Sequence, residues 1–387
     1  MAVATIPKIE TQPVTDLPTE NRIKRSVRIW LVIGVVMVFF QVVIGGVTRL
    51  TDSGLSITEW AVIQGTIPPL NAAEWDEAFE LYKVAAKKQF ETLHADMTMS
   101  EFKVIFFWEY FHRLWARMMG FVFIIPFFYF LLQERRAKRQ KNADRGRWMP
   151  GWLMRRLGVV IALAALAATF GWIMVASGLN EDNRTWVSAY KLVTHLSIAT
   201  ILFGYLFWTW LRTHQPQSFD GHLRGLKRMA WGFTALLLVQ IAFGGLMAGM
   251  RAGLIHPHFP FFVQGETLLN AINSSTATAS DIVNYESSAS IKGWVQILHR
   301  ATAWALMIMG FWYVRKALRA RISKRLKVAN ILLISVLITQ FLLGVLTVVN
   351  SIGSIPLFYG AAHQAVALLL LITMLYNNYQ FRQTANV

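Results

Sequence analysis

The sequence predicts an all-α membrane protein: eight transmembrane helices forming two pseudo-symmetric four-helix bundles, with both termini in the cytoplasm. Composition is the first reason, since hydrophobic residues make up 55% of the 387 and charged residues only 15%. Distribution is the second, because the apolar residues gather into long blocks instead of spreading along amphipathic faces. The third is an internal repeat that divides the chain near its middle.

The blocks lie near 27–47, 106–132, 157–178, 187–211, 227–250, 293–315, 326–349 and 357–380, each close to the ~20 residues that cross a ~30 Å hydrocarbon core. A formal net charge of +17 raises nucleic acid as a partner, but the basic residues sit in alternate connections. Arg22, Lys24, Arg25 and Arg28 lead into the first block, a run from Arg135 to Arg156 follows the second, Arg224, Lys227 and Arg228 follow the fourth, and a run from Arg315 to Lys327 follows the sixth. That alternation is the positive-inside pattern, which places both termini in the cytoplasm and accounts for the charge without nucleic acid.

The first block is too long for a cleavable signal and lacks a clean small-residue cleavage site, so it reads as an anchor. Glu10, Asp16 and Glu20 are unlike an acid-poor organellar transit peptide, which favours a bacterial inner membrane. Cysteine is absent. Disulfides, thiolate ligands, iron–sulfur clusters and thiol nucleophiles are thereby excluded, leaving histidine, carboxylate and methionine as ligands.

The chain divides into a cytoplasmic segment 1–26, a first half 27–211 containing a large outer loop 48–105, a linker 212–226, a second half 227–380 and a tail 381–387. In the outer loop, Trp75, Phe79, Tyr82, Val84, Ala86 and Phe90 recur at helical spacing and predict an amphipathic helix, lying on the membrane or capping the bundle. The connection 251–292 is expected to be an outer loop, mobile in its Ser-, Thr-, Ala- and Asn-rich part from Asn270 to Ser290.

The repeat pairs Gln41-Val42-Val43-Ile44-Gly45-Gly46 with Gln240-Ile241-Ala242-Phe243-Gly244-Gly245. His112-Arg113 opens the second block and His299-Arg300 the sixth, while His195 and His363 fall in the fourth and eighth. An even number of spans per half makes this a parallel repeat about the membrane normal. All four histidines then lie at one depth, about 10 Å below the outer surface. Histidine in lipid is costly, so four in register point to a metal centre or proton path. Two per bundle suit bis-histidine haem, where the iron takes one nitrogen from each side, better than copper or zinc, which gather three or four ligands. His94, His214 and His222 read as solvated loop residues, and His256-Pro257-His258 lacks a third ligand.

The halves differ in one respect that bears on chemistry. Glu109 stands three residues before His112, where Gln296 stands before His299, and that spacing puts each on its histidine's face. A carboxylate beside a macrocycle can take a proton or stabilise positive charge; the alternative is an interfacial charge at the end of a span. Arg113, Arg300 and Lys191 are candidates for pairing with haem propionates, or for snorkelling and helix-end roles.

The run Gly45-Gly46-Val47-Thr48-Arg49-Leu50-Thr51-Asp52-Ser53-Gly54-Leu55-Ser56, then Trp60, Pro68-Pro69, Glu101-Phe102-Lys103 and Glu109-Tyr110-Phe111-His112-Arg113, resembles heme A synthase in its alphaproteobacterial and mitochondrial branch, over essentially all eight blocks. The resemblance implies an oxidoreductase that converts a methyl group of haem O to the formyl group of haem A through a hydroxymethyl stage. It implies that His112 and His195 hold the substrate haem, that His299 and His363 hold a haem B cofactor, and that Glu109 is the active-site acid. Implied partners are a farnesyl-transferring haem O synthase and cytochrome oxidase assembly factors. Two departures stand out: the paired outer-loop cysteines of other branches are missing, and His-Pro-His replaces Tyr-Asn-Thr-like residues after Ile255. A quinol-linked electron-transfer protein with haem B at both sites is the main rival, and a haem carrier another. The electron acceptor, the oxygen source (water or dioxygen) and self-association stay open.

Overall fold

A computed structural model describes residues 23–59, 65, 67–140, 146–179, 184–214, 220–260 and 278–382. Trp60 and residues 270–277 of the stretch expected to be mobile, together with nearly all of the N-terminal segment and the tail, lie outside them; the rest of that stretch is ordered, with a short helix at Ala279–Val283 and Tyr285 buried. The described residues form helices α1 (Arg25–Leu50), α2 (Ala72–Ala85), α3 (Lys87–Leu93), α4 (Met99–Arg139), α5 (Gly151–Leu179), α6 (Ala189–His214), α7 (Arg224–Gly249), α8 (Ala279–Val283), α9 (Ala289–Arg319), α10 (Lys324–Val349) and α11 (Leu357–Gln380).

Seven of these, α1, α4, α5, α6, α7, α10 and α11, are long and apolar enough to cross a membrane. The sixth expected span corresponds to α9, whose 31 residues reach about 46 Å; Lys292, Arg300, Arg315, Lys316 and Arg319 dilute its hydropathy, yet it packs between α7 and α10.

Where helices overrun their apolar blocks, polar chemistry at the ends is the reason. α4 begins seven residues before its block because Thr98 and Glu101 form a reciprocal capping box, which satisfies orphan amides at the N-terminus. Its 41 residues extend about 61 Å, roughly twice the hydrocarbon thickness. Pro126 sits inside it and cannot donate to the carbonyl of Val122. Trp30 Nε1 takes that carbonyl instead, at 2.9 Å, so the proline is accommodated by a clasp between α1 and α4.

The amphipathic segment forms two helices, α2 and α3, broken at Ala86. Phe79, Tyr82 and Ala86 are buried against Phe102, Ile105 and Phe106 on the first turns of α4, with Leu55 and Val187 completing the cluster. The segment packs on α4, as a cap on the helices would.

The long helices pack in a pattern that repeats. In the first four, α1 meets α4, α5 meets α6 and α1 meets α6; in the second four, α7 meets α9, α10 meets α11 and α7 meets α11. Between the groups, α1 on α11 is answered by α7 on α6, and α6 lies against α11. Polar ties fix this seam. Arg49 at the end of α1 donates to the carbonyls of Ala248 (3.1 Å) and Gly249 (3.3 Å) at the end of α7, favourable for both the orphan carbonyls and the helix dipole. Gln364 donates to Val42 O at 2.8 Å. At the opposite end Asp220 accepts from Ser323 N and Oγ at 2.9 and 2.6 Å, binding the linker to the start of α10.

Candidate functional site: two histidine pairs

His112, His195, His299 and His363 each rest on a glycine of the helix beside them. A Cβ placed on Gly45 of α1 would stand 2.8 Å from His112 Cε1, on Gly171 of α5 3.0 Å from that of His195, on Gly244 of α7 3.4 Å from that of His299, and on Gly344 of α10 2.9 Å from that of His363. At Gly45, Gly171 and Gly344 a Cβ would crowd the ring, whereas at Gly244 it would come near ordinary contact. Four residues before each glycine comes a residue that addresses the ring. Gln41 Nε2 is 3.2 Å from His112 Nδ1, and the Nε2 atoms of Gln240 and Gln340 are each 3.4 Å from Nε2 of His299 and His363. Ala167 holds the fourth place, and its carbonyl takes the Nδ1 hydrogen of His195 at 2.8 Å; the Gln340 carbonyl does the same for His363 at 3.1 Å. Donation from Nδ1 fixes the tautomer and leaves Nε2 as a ligand.

The sequence shows two of these four units, the Gln-to-Gly runs of α1 and α7. The third, Gln340 to Gly344, was equally visible, while the fourth carries only its glycine and could be found only by packing.

His299 and His363 face one another with ring centroids 6.3 Å apart and planes at 78°. Two metal–nitrogen bonds of about 2 Å plus the two half-rings make up about 6 Å, so this pair fits an iron between its rings. His195 lies close enough to His112 for their charges to interact. Among the described residues no three His, Asp or Glu side chains gather as a metal cluster. Beside His112 and His363, respectively, Gln41 Oε1 and Gln340 Oε1 are buried without hydrogen-bond partners. Paired imidazoles, glycine cradles and buried polar edges together fit a bis-histidine haem.

Glu109 is 2% exposed and Gln296 0%, so Glu109 is an interior group and not the interfacial charge that its place near the end of the block allowed. Ser56 Oγ and the Ile57 amide both donate to Glu109 Oε2 at 2.8 Å, and Arg113 makes a short ion pair with Oε1. Arg113 also donates to the carbonyls of Ile57 (2.9 Å) and Glu59 (3.1 Å). The chain after α1 thus folds back over α4 and presents its backbone to the Glu109–Arg113 pair.

The chain after α7 does the same for α9. The His256 carbonyl accepts from Gln296 Nε2 at 3.2 Å and from Arg300 Nη2 at 3.0 Å. This explains the tolerance of His-Pro-His here: the contact is made by backbone. Burial, with Arg300 and His258 nearby, lowers the pKa of the His256 imidazole. Arg113 and Arg300 therefore hold the chain after α1 and after α7 to the helices, a contact that the propionate expectation did not include. His94, expected in solvent, is half-buried with Nδ1 2.5 Å from the Tyr82 hydroxyl, and burial lowers its pKa. Ser56 and Ile57 were missed as partners of Glu109; their position in the patterned Gly45–Ser56 run was the available signal.

The model of the COX15-CtaA family, described as cytochrome oxidase assembly protein, matches residues 28–375. Curated relatives named heme A synthase include one from Flavobacterium psychrophilum, 37% identical over 92% of this chain and 98% of its own. Another from Nitrosospira multiformis is 37% identical over 93% and 95%, and one from Bradyrhizobium sp. (strain BTAi1) is 36% identical over 89% and 88%. With a family model spanning nearly all its helices and full-length relatives well above 30% identity, the chain belongs to the COX15-CtaA family of cytochrome oxidase assembly proteins, the one its outer-loop run resembles.

Proposed function

We propose that this chain is a heme A synthase that oxidises a methyl group of haem O to a formyl group through a hydroxymethyl stage. The observation that carries the reading is one buried carboxylate and where it stands: two histidine pairs share one scaffold, and among the described residues only the pair containing His112 has a buried acid, Glu109, one helical turn from it. Electron transfer alone needs no such group. In this reading His112 and His195 hold the substrate haem, and His299 and His363 hold haem B, which supplies a one-electron relay when bound.

The work of the remaining residues follows from their contacts. Ser56 Oγ, Ile57 N and Arg113 hold the Glu109 carboxylate in place, one helical turn from His112. With water as the oxygen source, the first stage takes up one water and releases an electron pair and two protons, the second releases another electron pair and two protons as hydroxymethyl becomes formyl, and an external acceptor takes the electrons. Glu109 receives a proton or, as an anion, stabilises the positive charge that develops, effects that general acid–base and electrostatic catalysis make worth about 100-fold or more. The helices on which the histidines sit keep bulk water from the macrocycle.

The same proposal places eight helices across a bacterial inner membrane, α9 among them, with both termini cytoplasmic and the haem sites toward the periplasm. Alternation of the basic connections and the packing of α9 between α7 and α10 support it. A farnesyl-transferring haem O synthase would supply the substrate, and oxidase assembly factors would take the product.

The test is mass analysis of haems extracted from protein purified where haem O is supplied. Haem A or its hydroxymethyl precursor beside haem B is expected, with Glu109→Gln retaining its haem while losing formyl product at least about 100-fold. Haem B alone, with haem O available, would overturn the reading in favour of electron transfer.

A further inference from the structure

The two groups of four helices differ on one flank. α9 and α10 pack side by side, whereas the equivalent pair, α4 and α5, scarcely touch among the described residues. Particular residues account for this once the groups are registered on their histidines and glycines. Trp304, five residues after His299, packs edge-on against Phe341, three before Gly344, with centroids 4.7 Å apart, and Phe259 of the outer loop lies 6.1 Å from Phe341. The same places in the first group hold Arg117 and Ala168. Farther along, the Leu337 side chain seats directly on Gly310, where any Cβ would collide with it. Their counterparts are Phe123, turned away to pack on Trp30 at 4.9 Å, and Ala164. Small residues on α5 thus replace the two large ones that close α10 onto α9, and Ala164, Ala165 and Ala168 are exposed.

We propose that the open flank between α4 and α5 is a lateral port that receives the isoprenoid tail of the substrate haem from the bilayer, and that the aromatic seal between α9 and α10 confines the other site to a tail-less haem. This rests on the reading of the chain as a heme A synthase. Haem O carries a long hydrocarbon substituent that belongs in lipid, and the outer face above the first site is covered by α2, α3 and the Glu109–Arg113 loop. The gap opens beside His112 and His195, the pair that must exchange substrate for product; its sealed counterpart flanks the pair that needs no exchange.

The test is a size series at position 168 in full-length protein in nanodiscs: Ala168→Gly, wild type, Ala168→Leu and Ala168→Phe. Uptake of haem O is followed by optical titration, and the haem resident between His299 and His363 serves as the mark of a folded chain. Uptake is expected to hold in the Gly variant and to fall at least tenfold from wild type to Phe, with Leu between them and the resident haem unchanged. The reciprocal Phe341→Ala variant should lose its resident haem to apomyoglobin severalfold faster. Should Ala168→Phe fail to fold, the Leu variant carries the comparison. Haem O uptake independent of the residue at 168, or loss of resident haem in step with uptake in both Leu and Phe variants, would overturn the port. Uptake is scored as binding. A wild-type chain that binds haem O without converting it would sink the enzymatic reading and leave the port standing.

Discussion

Glu109 and Gln296 occupy equivalent places, each three residues before a histidine and each closed over by the chain that follows the neighbouring helix. The surroundings of the carboxylate donate to it, through Ser56, Ile57 and Arg113; those of the amide accept from it, through the His256 carbonyl. The backbone architecture is the same and the polarity of the loop contact is reversed. A duplicated scaffold can therefore keep its ligand geometry while its two copies diverge in chemistry, because imidazole placement depends on glycines inside the helices and the acid depends on a loop outside them.

The most severe break of the comparison is removal of an axial ligand. His363→Ala leaves His299 with no partner across the gap, and His112→Ala does the same for His195. Each is expected to abolish haem at its own site, a loss of affinity greater than about 100-fold, while the other site keeps its haem. Spectra and haem-to-protein ratios of the purified variants check this; loss of both haems from a folded single variant would show that the two sites are one cooperative unit.

Exchange of the acid comes next. Glu109→Gln lowers formyl product about 100-fold or more, and the double variant Glu109→Gln with Gln296→Glu is expected to recover none of it. The carboxylate would then lie over the wrong haem, facing an accepting carbonyl in place of two donors. Recovered haem A in the double variant would place the substrate at His299 and His363 and reverse the assignment of the two sites.

The glycines give a graded effect that the distances set in advance. A methyl group at Gly45, Gly344 or Gly171 would lie 2.8 to 3.0 Å from an imidazole carbon, but at Gly244 it would lie at 3.4 Å, close to ordinary contact. Gly45→Ala, Gly344→Ala and Gly171→Ala are therefore expected to displace their rings and weaken haem binding about 10- to 100-fold, in the range of other disturbances to ligand orientation. Gly244→Ala should cost far less. Equal effects at all four positions would mean that helix packing, and not ring placement, is what the glycines serve.

Much of this was legible in the chain itself. The apolar blocks gave every long helix, and the Gln-to-Gly runs with the His-Arg pairs gave the repeat, because lipid allows the backbone few ways to satisfy itself. The ends were not legible: α4 overruns its block at both ends because a capping box and a charged final turn extend a helix without adding hydropathy. Glu109 was found by its spacing from His112, but its donors, Ser56 and Ile57, lie more than fifty residues earlier in a loop, and no local period connects them. The open α4–α5 flank was also beyond the sequence, since Ala164 and Ala168 acquire meaning only when registered against Leu337 and Phe341.

The smallest effect concerns the glutamines. Gln41, Gln240 and Gln340 all reach toward a ring nitrogen, which makes them look essential, but Ala167 fills the fourth place with no side-chain amide. What survives in that unit is the backbone carbonyl bond to His195 Nδ1 at 2.8 Å, and His363 has its own at 3.1 Å from Gln340 O. Gln340→Leu keeps that carbonyl and removes an amide oxygen that is buried without a partner, a change that costs little when the lost group was unsatisfied. The variant is expected to retain its haem, with affinity within about threefold of wild type, measured by competition with apomyoglobin. A loss of tenfold or more would assign the ring's orientation to the glutamine side chain, and would mean that the His195 site, which lacks one, holds its haem the more weakly of the two.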